Sequence, residues 1–183
     1  MSILNPPEAE ARGTAHPVEL HLRPNRLFTF VAVFAMVIGF GSFLGGIVGA
    51  TYTYQQAAAE NITTPDDAMF PEVPVRGPLS LYAQSDIITQ HQLEGTEGLR
   101  YSEMEREAPV LDEAGEPVLD ENGEPVMGPN EARMSWINAT ALTTALNLGL
   151  MAYALSAFAV VVGLTLAALG YRVLRLRRDA VAF

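Results

Sequence analysis

Three histidines, His16, His21 and His91, are the side chains of this sequence whose ordinary pKa suits proton transfer or metal ligation near neutral pH. His91 stands three residues before Glu94, so a helix would carry both on one side. Ser80, Ser85 and Ser102 are candidate nucleophiles by type alone, since none sits in the Gly-x-Ser-x-Gly turn that aims a serine at a base. There is no cysteine, which removes disulfides, thiolate metal sites, iron–sulfur clusters and thiol nucleophiles. Oxygen ligands are dense between Asp112 and Glu124. A calcium loop, however, needs acids at alternate positions and a closing glutamate at the twelfth, and this segment lacks that pattern. On these grounds no catalytic, cofactor-binding or metal-binding residue is assigned and no cofactor is expected.

The elements that position these groups follow from charge. No charged residue occurs from Leu27 to Ala59 or from Met134 to Tyr171. Between them, from Glu60 to Arg133, lie seventeen acids against four arginines, a net charge of −13. Specific nucleic-acid binding needs basic patches, so such a partner is not expected. An apolar helix of ~20 residues crosses a ~30 Å hydrocarbon core, and both uncharged stretches exceed it. The first predicts a transmembrane helix over 27–54. Ala57-Ala58-Ala59 resembles a signal-peptidase site, but the apolar run is longer than the ~7–15 residues of a signal sequence. The second predicts a helical stalk followed by a transmembrane helix over 136–171. Arg23 and Arg26 precede the first span, and Arg172, Arg175, Arg177 and Arg178 follow the second. Positive flanks mark the cytoplasmic side. Residues 1–26 and 172–183 are then cytoplasmic tails, and about 55–135 is extracytoplasmic, at the cytoplasmic (inner) membrane. The expected fold is mainly α: an integral membrane helical hairpin with a small, partly irregular α-helical extracytoplasmic domain.

Neither span carries an Asp, Glu, Lys, Arg or His, whereas ion and proton pathways place such residues inside the bundle, so a channel or pump built from this chain alone is not expected. Gly41, Gly45 and Gly49 recur every fourth residue, Ser42, Gly46 and Ala50 form the adjacent row, and Gly163 with Ala167 repeats the spacing. Small residues at that period let helix backbones approach closely in lipid, so a packing seam is expected there, between the spans or with a partner. Asn147, near the edge of the second span, would either bridge helices or reach water.

In the intervening segment, Pro65, Pro71, Pro74 and Pro78 predict extended chain up to Gly77, with a turn at Thr64-Pro65-Asp66-Asp67. A helix is expected over about 79–94. Leu79, Tyr82, Ala83, Ile87 and Leu93 share one stripe of it, with Leu81 and Ile88 opposite. Apolar on two sides, that helix wants two neighbours, the stalk and a partner, and Leu79, Leu81, Tyr82, Ile87, Ile88 and His91 are its candidate interaction residues. Ser102 would cap a second short helix over about 101–107. From 110 to 126 the segment Val-Leu-Asp-Glu-x-Gly-Glu-Pro occurs twice with a period of eight. Asn122-Gly123 signals a hairpin, while the acid- and proline-rich composition suits a solvated spacer.

Glu60-Asn61-Ile62-Thr63, Gly77-Pro78-Leu79-Ser80-Leu81-Tyr82-Ala83-Gln84, His91 and Tyr101-Ser102-Glu103-Met104-Glu105-Arg106-Glu107 together resemble a group of actinobacterial two-span membrane proteins that carry the label aromatic ring-opening dioxygenase LigA. The resemblance runs from the first span to the arginine tail, and the repeat at 110–126 departs from it. That label implies extradiol cleavage at non-haem Fe(II), held by two histidines and a carboxylate. Here His16 and His21 precede the first span and His91 follows it, so lipid would separate them. Only an oligomer could then complete the set, by pairing copies of His91 with Glu94.

The expected role is therefore that of a non-enzymatic accessory or interaction subunit of a larger membrane assembly, such as a respiratory one, with bilayer lipids and a membrane-protein partner, or another copy of itself, as its contacts. An oligomeric dioxygenase and a self-associating envelope protein are the competing expectations.

Overall fold

The structure, a computed structural model, describes residues 26–181, with side chains as far as Leu176. Three helices dominate it: α1 (Arg26–Ala59), α2 (Pro78–Gly95) and α3 (Glu131–Val181). Two of them, α1 and α3, are long and apolar enough to cross a membrane, and only 11% of the most apolar window of each is buried. They form an antiparallel hairpin. At ~1.5 Å per residue, the 51 residues of α3 reach about 75 Å, more than twice a hydrocarbon core. The excess carries a cap built from residues 60–130.

α3 begins five residues before the stalk expected at 136. Asn130 is its cap, the side-chain oxygen accepting from Arg133 N at 3.2 Å and the carbonyl accepting from Met134 N at 3.1 Å. Glu131 adds an acid in the first turn, where it suits the helix dipole. α2 starts at Pro78, whose missing N–H costs nothing at a first helical position. Ser80 Oγ reaches back to accept from Gly77 N at 3.2 Å and Arg76 N at 3.1 Å. At its far end Gly98 N donates to Leu93 O (2.7 Å) and Glu97 N to Glu94 O (3.3 Å), the pairing that closes a helix through a left-handed residue. That residue is Glu97 (φ 52°), followed by Gly98, which is also left-handed (φ 85°).

The extended segment before α2 is a closed loop. Val75 N donates to Ile62 O at 2.9 Å and Thr64 N to Val73 O at 3.0 Å, around a turn in which Ala68 N donates to Pro65 O at 3.3 Å. The buried Thr64 hydroxyl locks it, donating to Phe70 O at 2.5 Å and accepting from Val73 N at 3.0 Å.

One sequence expectation fails here. No short helix forms over 101–107. Residues 101–103 turn, Arg100 N donates to the Glu103 carboxylate at 2.7 Å, and Glu107–Pro109 is a strand, β1. β1 pairs antiparallel with β2 (Met127–Pro129) in the register Glu107↔Pro129, Ala108↔Gly128 and Pro109↔Met127. A proline two residues after Glu107 and a waiting partner strand outweigh the local acid-and-serine signal for a helix. The repeat at 110–126 is solvent-exposed along its whole length and carries the hairpin that Asn122-Gly123 signals. Each copy closes a tight hairpin, bridged at Leu111↔Pro117 and Leu119↔Pro125. Asp112 and Asp120 each accept two backbone N–H groups across their turns at 2.8–3.0 Å. Gly115 (φ 81°) and Gly123 (φ 82°) take the left-handed position. The valines that begin each period then close a ring: Val110 N donates to Val126 O, Val126 N to Val118 O and Val118 N to Val110 O, each at 2.8 Å. Three short β arms radiate from that ring.

Candidate functional site

The hairpin seam is narrow and made of small residues. On α1 the buried positions are Ala32, Gly39 and Gly46; on α3 they are Ser156, Gly163 and Gly170. Each set steps by seven residues and the two run in opposite directions, so the layers are Ala32 with Gly170, Gly39 with Gly163, and Gly46 with Ser156. Seven-residue spacing keeps one stripe of a left-handed pair in contact. The approach is close: a Cβ built on Gly163 would lie 2.5 Å from Phe43 N, and one on Gly39 2.6 Å from Ala167 N. Gly163 and Ala167 thus face α1, and Gly49 faces Ser156. Gly41 and Gly45 do not join them; both are exposed, and a Cβ added to either would meet nothing within 4 Å. The four-residue stripe chosen from sequence points away from α3 over most of its length, because the pair winds on a seven-residue period.

The cap docks on this hairpin through α2. Leu81 is buried and would meet a Cβ added to Gly149 at 2.5 Å. Ser85 Oγ donates to Asn147 Oδ1 at 3.4 Å, so Asn147 bridges helices. Ser135 Oγ donates to Gln92 Oε1 at 2.8 Å, and the buried Trp136 donates through Nε1 to Leu99 O at 2.9 Å. Arg100 lies 5.8 Å from the Trp136 ring centroid, and Arg133 lies 4.2 Å from that of Tyr101. Nearer the hairpin, Tyr153 donates to the Arg76 carbonyl at 2.6 Å.

His91 Nε2 meets Asp67 Oδ2 at 2.6 Å, tying the Thr64 loop to α2. The shared hydrogen bond raises the His91 pKa above 6.5 and lowers that of Asp67 below 3.8. Ala83 and Ile87, two turns and one turn before His91 on the same side of the helix, are buried. The chain's own loop is thus one neighbour of α2, through Asp67 and His91. Of the candidate interaction residues, Leu81 and Ile87 are buried, Ile88 is half-buried against a cavity and His91 is engaged. Leu79 and Tyr82 remain 68% and 49% exposed.

That cavity, about 450 Å³, opens between the end of α1, α2 and the middle of α3. Leu81, Ile88, Leu142 and Leu146 form its apolar wall, with Gln56, Glu60 and Gln84 among its polar residues. The Gln84 Oε1 is buried without a hydrogen-bond partner.

No family model, no curated protein and no solved structure matches the chain.

Among the described residues no three histidine, cysteine or acidic side chains converge as metal ligands. His91 has Asp67 as its carboxylate, not Glu94. His16, His21 and Arg23 lie outside the described residues, as do the Arg177 and Arg178 side chains. Arg26, Arg172 and Arg175 are exposed at the open end of the hairpin, away from the cap. Sequence reasoning missed Gly39, Gly170 and Ser156, and it gave Thr64 only a turn and Gln84 only a place in a motif. The seven-residue repeats were the available signal for the first three; the contacts of Thr64 and Gln84 follow from packing between separate segments.

Proposed function

We propose that this chain is a non-enzymatic integral protein of the cytoplasmic membrane, with both termini cytoplasmic and the acidic cap outside, serving as an accessory subunit that docks a larger membrane assembly. The observation that carries the reading is the distribution of apolar surface. α1 and α3 touch along one narrow seam and turn the rest of their side chains outward, Phe30, Phe34, Val37, Leu155 and Phe158 among them. In water such a surface far exceeds what soluble monomers leave open, whereas lipid tails accept it. The outward glycines at 41 and 45 and the exposed Leu79 and Tyr82 offer a partner one contact in lipid and one beside it. The arginines gathered at the end opposite the cap support the orientation.

The cysteine-free chain makes the test direct. An impermeant maleimide applied to intact spheroplasts is expected to label a Glu121→Cys variant and to leave Ser2→Cys and Ala182→Cys unlabelled until the membrane is opened. Labelling of either terminus from outside overturns the topology. For the docking role, photoreactive groups at positions 79 and 82 in native membranes are expected to yield one adduct of fixed mass with a different chain. Adducts with lipid alone overturn it.

A further inference from the structure

The cavity beside α2 marks the point where the small-residue seam stops. Three layers seven residues apart close α1 on α3; the next would join Thr53 to Gly149. There Leu81 of α2 covers Gly149, Thr53 commits its hydroxyl to Gly49 O at 2.9 Å, and about 450 Å³ is left between the helices. That volume lies in the ~300–1,000 Å³ range of small-molecule sites. Its depth is set by Tyr153, one turn along α3, which is held to the Arg76 carbonyl. From Tyr153 to Tyr171 the helix rises ~27 Å, close to the thickness of a hydrocarbon core, so the cavity sits at the edge where acyl chains meet headgroups.

The lining specifies chemistry. The wall is aliphatic, and its polar side holds two carboxamides and the Glu60 carboxylate, with no arginine. Glu60, under a cap of net charge −13, repels an anionic head. The Gln84 carbonyl lacks a donor, and its terminal torsion is soft enough to turn it into the cavity. We infer that this cavity holds one uncharged, hydroxyl-headed amphiphile drawn from the bilayer, its chain between Leu81, Ile88, Leu142 and Leu146 and its hydroxyl donating to Gln84. The inference rests on the membrane reading above.

The test uses the full chain in phosphatidylcholine nanodiscs with two photoprobes: a diazirine-bearing hexadecanol and the matching diazirine hexadecane. The alcohol is expected to label 81–88 and 142–149 several-fold more than the outward faces of α1 and α3. Ala145→Phe or Leu142→Trp, which fill the space, should remove that excess. Gln84→Leu should reduce labelling by the alcohol to the level of the alkane while leaving the alkane unchanged. Even labelling along all outward faces, or an excess that survives both filling variants, overturns the site while the membrane reading stands. A chain that fails to enter the nanodiscs overturns both.

Discussion

Glycine at position 163 and glycine at position 41 look alike in the sequence and do different work. Adding a Cβ at Gly163 drives it against Phe43 N and the Gly39 carbonyl, both backbone atoms that cannot swing aside. Gly163→Ala should therefore weaken the α1–α3 hairpin by ~1–3 kcal/mol, the usual cost of overpacking, while Gly41→Ala should fall within ~0.5 kcal/mol of the parent. Thermal unfolding in one detergent, followed by circular dichroism, checks the pair; equal effects would remove the seven-residue seam. The His91–Asp67 contact has a pH window. A raised histidine pKa gives stability that is complete below 6.5 and lost as pH climbs through the folded value. A lowered aspartate pKa gives stability present above 3.8 and lost as pH falls through the folded value. The loop is thus held to α2 best between about 3.8 and 6.5. Proton NMR of the His91 ring should show a midpoint above 6.5 that returns toward it in Asp67→Asn.

At the scale of elements, local chemistry specifies the small pieces and partners specify the rest. The two hairpins at 110–126 are encoded almost entirely within eight residues: an aspartate to accept the turn's N–H groups, a glycine for positive φ and a proline to end it. Glu124 N and Asn122 N, donating to Asp120, hold its carboxyl below the ordinary 3.8, so this hairpin should keep its turn above that pH and loosen as pH falls through the lowered value. Asp120→Ala is expected to speed amide exchange at residues 122 and 124 and leave the Asp112 turn unchanged; loss of both turns together would mean the valine ring, not the aspartates, holds them. The Thr64 loop depends on one buried hydroxyl that meets a donor and an acceptor at once. Thr64→Val keeps the shape but orphans Val73 N and Phe70 O, a loss of ~1–3 kcal/mol measurable in cap stability. Its dependence on residues six and nine positions away explains why the sequence read as extended chain with one turn and not as a closed loop.

Across the whole molecule, two bodies share one helix. The hairpin relies on close backbone packing along its seam, while the cap relies on Trp136, Thr64, Leu81 and a few hydrogen bonds to α3. Trp136 is the single tryptophan and sits in the joint between α3 and the chain after α2, so its fluorescence reports the cap alone. In urea with detergent present, Trp136 emission should shift at a lower concentration than the loss of helical circular dichroism, because α1 and α3 retain their seam after the cap has opened. Coincident transitions would show that cap and hairpin fold as one unit.

Composition alone settled that the chain is mainly helical with two long apolar helices, since two uncharged runs of that length leave few other structures. It also placed α2, through Gly77-Pro78 before it and the glycines after it. Caps and turns built from neighbouring residues were readable too, had Asn130 been weighed as a helix start. What only the tertiary structure decided is which face of each helix meets which neighbour. A helix presents a four-residue and a seven-residue stripe of small side chains at once, and the antiparallel winding of α1 on α3 chose the second. Packing likewise turned His91 toward Asp67 and left a cavity where the seam ends, because contacts between distant segments follow from geometry that no local spacing records.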